Sequence, residues 1–141
     1  MGATVNVELT DAQMAWLRQE ADRLGMSPAE VAGCRVEEML RESEYPWVEF
    51  REAYQCRDAF LRGTRLKIWL LINHVRANGG DVEKTARELE VPEVAVINAV
   101  AYAAAYVVEI DAAIAENRAA ADELQAEMAA ASAIPVNASH P

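Results

Sequence analysis

Thr4-Val5-Asn6-Val7-Glu8-Leu9-Thr10-Asp11-Ala12-Gln13 is the stretch on which the fold of this chain turns. Val5, Val7 and Leu9 alternate with Thr4, Asn6 and Glu8, and a period of two marks a short strand with one apolar face. Thr10 to Gln13 then has the spacing at which a hydroxyl and an amide side chain satisfy each other's backbone N–H groups, so a helix starts at once. Met14, Leu17, Ala21 and Leu24 recur on one face of that helix, and Gly25 stops it. Ser27-Pro28-Ala29-Glu30 repeats the start signal, with proline at the first helical position, where its missing N–H costs nothing. Val31, Ala32, Val36, Met39 and Leu40 give the second helix its apolar stripe.

One strand and two helices leave the strand without a partner, and an unpaired edge is a template for another chain. Two copies paired antiparallel across a two-fold axis satisfy both edges and give an isologous homodimer. Residues 3–43 resemble the ribbon-helix-helix family of small repressors and antitoxins in these types and spacings. The resemblance implies a two-stranded ribbon in the major groove of operator DNA. Thr4, Asn6 and Glu8 would then face the bases, and the helix start at Ser27 would hold a phosphate. The outward strand face carries no Arg or Lys, as family members usually do. Asn can read adenine and Glu can accept from cytosine, but phosphate attraction would be weak. A ribbon that only dimerises is the other reading.

Tyr45-Pro46-Trp47 breaks the helical pattern, because proline holds the preceding residue extended. Trp47, Phe50 and Tyr54 supply bulk for a new core. Ala59-Phe60-Leu61 and Leu66-Lys67-Ile68 flank Arg62-Gly63-Thr64-Arg65, which reads as a tight turn between short strands. Gly63 is the turn residue that needs positive φ. Arg62 and Arg65 stand at the turn tip, where they would meet phosphate or an acidic partner. A helix from about Trp69 to Ala77 stops at Asn78-Gly79-Gly80, Asp81 caps the next, with Val82, Ala86 and Leu89 inward, and Pro92 opens a third, with Val94, Ile97, Val100 and Ala101 inward. Two helices in that succession look like a helix-turn-helix. The third helix holds Glu93 and no Lys or Arg, so it reads as core or dimer surface before it reads as a DNA contact.

Gly63 to Trp69, Gly79 to Ala86, Ala99 to Tyr102 and Glu109 to Asp111 resemble, in order, motifs of a prokaryotic family known as domain of unknown function 433. The resemblance covers about residues 45–118. It implies an antitoxin that binds a PIN-like ribonuclease toxin and represses its own operon.

From Glu93 to Ile134 there is neither glycine nor proline and alanine is abundant, which predicts one long helix. Val107, Ile110, Ile114, Asn117, Ala121, Leu124 and Met128 fall at a 3-4 spacing that suits a short coiled-coil seam or packing on the parent domain. On this helix Ile110, Asp111, Ile114, Arg118 and Leu124 are the expected toxin-binding residues. Ala129 to Pro141 is expected to fray. The expected fold class is mainly α: a ribbon-helix-helix dimerisation head (1–44), a small helix-turn-helix-like domain with a short β-hairpin (45–118), and a long C-terminal helix running into an extension and tail (119–141).

Composition bounds the function. The chain is 52% apolar and 26% charged, as folded proteins are. The nearly apolar run Val94 to Val108 is shorter than the roughly 20 residues that span a bilayer, and no signal segment is visible at the start. Two cysteines, Cys34 and Cys56, make no disulfide framework and no metal spacing. A cytoplasmic protein without membrane contact is the plain expectation. The net charge of −10 is the fact any DNA reading must survive. Residues 45–91 hold 8 basic and 7 acidic side chains, whereas 92–141 hold 1 and 7. His74 and His140 have no second ligand nearby, and no nucleophile lies beside a base. No catalytic residue, metal or cofactor is therefore expected. An antitoxin leads; a stand-alone dimeric transcription regulator and a protein-interaction adaptor are the alternatives.

Overall fold

A computed structural model describes residues 2–53 and 56–132. Tyr54, expected as core cover, and the tail beyond Ser132 lie outside the described residues. Six helices and one antiparallel two-stranded hairpin make up the described chain.

Helix α1 (Asp11–Leu24) starts where the sequence places it. The Thr10 hydroxyl accepts from the Gln13 N–H at 3.2 Å, and the Thr10 N–H donates to Gln13 Oε1 at 2.9 Å. Gly25 ends it at φ 66°, the left-handed region that only glycine enters without strain. Helix α2 (Pro28–Glu44) follows, with Ser27 Oγ accepting from the Glu30 N–H at 3.1 Å. The two helices share a core of only three buried residues, Leu17, Ala21 and Val31.

Residues 2–10 join no ladder, so the expected strand has no partner among the described residues. Val5 is 82% and Val7 70% exposed. Of the apolar stripe read on α2, Val31 is buried, whereas Val36, Met39 and Leu40 face outward.

The hairpin is not the expected one. Strand β1 (Val48–Ala53) pairs with β2 (Cys56–Leu61), from Val48 opposite Leu61 to Ala53 opposite Cys56. The turn at Arg62 to Arg65 exists, with Gly63 at φ 76°, but past it only the bridge between Phe60 and Lys67 forms. Ile68 already belongs to α3 (Ile68–Ala77). Its start falls there because Ile68, Leu71, Ile72 and Val75 are spaced for one buried helical face.

Helix α4 (Val82–Leu89) is capped by Asp81, whose carboxylate accepts from the Lys84 N–H at 3.0 Å. Helix α5 (Glu93–Ala105) follows, and α6 (Val107–Ser132) leaves it at 100°. The single long helix expected from Glu93 is therefore broken at Tyr106. Bending returns Ile110 and Ile114 onto the main core beside α3, which buries two large side chains. No single helix among the described residues is long and apolar enough to cross a membrane.

The phase of α5 also differs from expectation. Ala95, Val96, Ala99, Tyr102 and Ala103 are buried, while Val94, Ile97 and Ala101 point outward. A helix apolar on every side carries no phase in its sequence, and here contacts with α3 and α4 set which side turns inward.

Candidate functional site

The first and second segments are not separate bodies. Arg41, near the end of α2, forks onto Glu109 of α6 at 2.7 and 2.8 Å and donates to the Tyr102 hydroxyl at 3.1 Å. Its guanidinium lies 3.7 Å from the Tyr106 ring centre. Tyr102 in turn meets Tyr45 edge-on at 5.4 Å and Tyr106 at 4.8 Å. Burial pushes the Tyr102 hydroxyl pKa up, against the opposing pull of Arg41, and the hydrogen bonds from Arg41 hold the Glu109 carboxyl below its ordinary value. Farther along α2, Arg57 reaches Glu38 and the Phe50 N–H donates to Glu42 at 2.7 Å. Sequence reasoning singled out Trp47 and Phe50 but missed Tyr102 and Tyr106. Their i, i+4 spacing sets the two rings on neighbouring turns, but nothing in the sequence marks Arg41 as their partner.

A second network closes the end of α3 on α4. Thr85 is fully buried; its hydroxyl donates to the Asp81 carbonyl at 2.8 Å and accepts from Asn78 Nδ2 at 3.0 Å. His74 Nε2 stands 2.6 Å from Glu88 Oε2, and that bond, followed by one from Asn78, lowers the Glu88 pKa. These groups satisfy one another. Among the described residues no cluster of His, Cys, Asp and Glu is arranged to hold a metal.

Thr4, Asn6 and Glu8 are exposed on the unpaired arm. At Ser27 the helix start has little to offer a phosphate, since Pro28 has no N–H and the Glu30 N–H goes to Ser27 itself. Arg62 is committed elsewhere: it donates to the carbonyls of Pro46 at 2.7 Å and Val48 at 3.1 Å, pinning the turn to β1. Of the 8 basic residues in 45–91, Arg65 alone has no hydrogen bond or ion pair with another described residue. The basic residues of 45–91 are thus largely engaged with neighbouring groups of the chain. Asn98, which interrupts the apolar run in sequence, accepts from the Trp47 N–H at 2.9 Å.

The expected partner-binding residues divide. Ile110 and Ile114 are buried in the chain's own core, which corrects the reading of both as a stripe open to a toxin. Asp111 pairs with Arg76 at 2.7 Å. Arg118 and Leu124 are exposed, as is every residue from Ala115 to Ser132. A seam continuing through Ala121 and Met128 therefore has no cover among the described residues. No family model matches the chain, and no curated protein or solved structure is significantly similar to it.

Proposed function

We propose that the chain is a dimeric antitoxin of a type II toxin–antitoxin module, which neutralises a PIN-like ribonuclease toxin and regulates its own operon. The observation that carries this reading is the exposed part of α6, Ala115 to Ser132. It spans about 27 Å at the usual helical rise. It has Glu116, Asp122, Glu123 and Glu127 against a single Arg118, with Leu124 and Met128 open beside them. A ribonuclease must attract RNA and so has a basic surface. An acidic helix with the apolar pair Leu124 and Met128 suits that surface, the charges speeding encounter and the apolar side chains holding the complex. The unpaired arm and the open stripe of α2 support the dimer, in line with the ribbon-helix-helix resemblance, and the 45–118 motifs support the antitoxin role.

The test is rescue of cells expressing a PIN-like nuclease encoded beside this gene. Because Ile114 belongs to the core, a chain stopped after Arg118 separates partner binding from folding. It should fold and dimerise as the whole chain does, yet fail to rescue; equal rescue would remove α6 from the role. An adaptor that does not bind DNA is the second reading, favoured by the engaged state of Arg57, Arg62 and Lys67. No shift of the gene's own promoter fragment at low salt, with toxin present, would select it.

A further inference from the structure

We infer that the outward face of α5 is a second self-association surface, on which two copies of this chain pair antiparallel about a two-fold axis. The inference does not rest on the ribbon or on the toxin. From Val94 to Val108 the chain has no charged residue. One side of α5 is buried, yet Val94 (55% exposed), Ile97 (53%), Ala101, Ala104 and Ala105 all open to solvent on the opposite side. A helix apolar on both sides is normally covered on both.

Two features make a second copy the occupant. The first is a gradient of size: the bulky Val94 and Ile97 stand in the N-terminal half of the face, and only alanines stand in the C-terminal half. Antiparallel pairing centred between Ile97 and Ala101 sets Ile97 over the partner copy's alanine at that height. It also sets Val94 over the alanines at the far end, so every large side chain meets a small one. Parallel pairing would set Val94 and Ile97 on their own equivalents and leave the alanine end gaping. Small residues allow the helix axes to come within about 8 Å. The second feature is charge. Two copies of a chain with net charge −10 repel over most of their surface, and the α5 face lets them meet without placing carboxylates against carboxylates. The isologous geometry follows from a patch that is its own complement.

Cysteine cross-linking tests this in the full-length chain. With Cys34→Ser and Cys56→Ser removing the native thiols, Ala101→Cys puts two thiols on the same face close to the proposed axis, offset by only about 6 Å along the helix. Under mild oxidation it should form a covalent dimer roughly tenfold or more faster than Ala119→Cys on the exposed part of α6, because an interface holds the two thiols at a high effective concentration. Adding Ile97→Lys should abolish that advantage. Both positions are exposed, so circular dichroism should show the helix content kept. Cross-linking at Ala101 no faster than at Ala119, the outcome expected if another protein covers this face, overturns the proposal. So does rapid cross-linking that survives Ile97→Lys.

Discussion

Arg41 joins more of the molecule than any other side chain: it pairs with Glu37 and Glu109, hydrogen-bonds Tyr102 and stacks on Tyr106. Its side chain is mostly buried, whereas Glu109 is largely exposed, so solvent screening discounts the ion pair. Hydrogen bonds to a charged group still leave Arg41→Ala about 1–3 kcal/mol less stable, to be read from the denaturant midpoint. Arg41→Lys should recover only part of this, since an ammonium cannot fork onto a carboxylate. The acid limb has a definite sign. Glu20 is lowered first by its hydrogen bond from Arg23, Glu88 by His74 and Glu109 by Arg41, each from an ordinary 4.5. A depressed carboxyl stabilises the fold above the unfolded value and loses that contribution as pH falls through the folded one. Thermal stability should therefore be flat above pH 4.5 from these groups and fall below it, and Glu109→Gln should flatten part of that fall. Glu20 with Arg23 and Glu37 with Arg41 stand at helical spacings that the sequence itself displays. Arg41 with Glu109 and His74 with Glu88 were not legible, because the partners lie far apart along the chain and only the fold brings them together.

Capping at the level of elements was legible, and for a local reason: Thr10, Ser27 and Asp81 bond amides three residues on, so the sequence holds both partners. Asp81→Ala should cost about 1 kcal/mol, measured by chemical denaturation. Long-range choices were not legible. The break between α5 and α6 has no glycine or proline to announce it; the tyrosine cluster and the return of Ile110 and Ile114 to the core decide it. The hairpin was displaced for a similar reason: Ile68 fits the buried face of α3 too well to remain in a strand. For the N-terminal arm, Val7→Pro removes an N–H that a ribbon ladder needs. It should shift the chain toward monomer in sedimentation equilibrium while leaving residues 45–118 folded, and an unchanged association state would argue against a ribbon.

At the scale of the whole molecule, the apolar surface has an uneven distribution. The head leaves Val5, Val7, Trp16, Val36 and Met39 open, while the body keeps a continuous core of its own. Three buried residues are too few to hold α1 and α2 in isolation, so the head gains order from its ion pairs and hydrogen bonds to the body. In the proposed head dimer Met39→Asp should weaken association by at least about tenfold, the order expected when a charge is placed against an apolar contact. Sedimentation at several concentrations reads this directly, and an unaltered constant would take α2 out of the interface.

The exposed stretch of α6 bears on how such masses are measured. A thin rod of about 27 Å adds little to a mass of 15.5 kDa but drags a large volume of water as the molecule tumbles. A single copy would leave a sizing column early, at the place of a heavier sphere, and could pass for a dimer. The frictional ratio carries the signature instead. It should fall toward that of a compact sphere when the chain is stopped after Arg118, while the number of subunits stays the same.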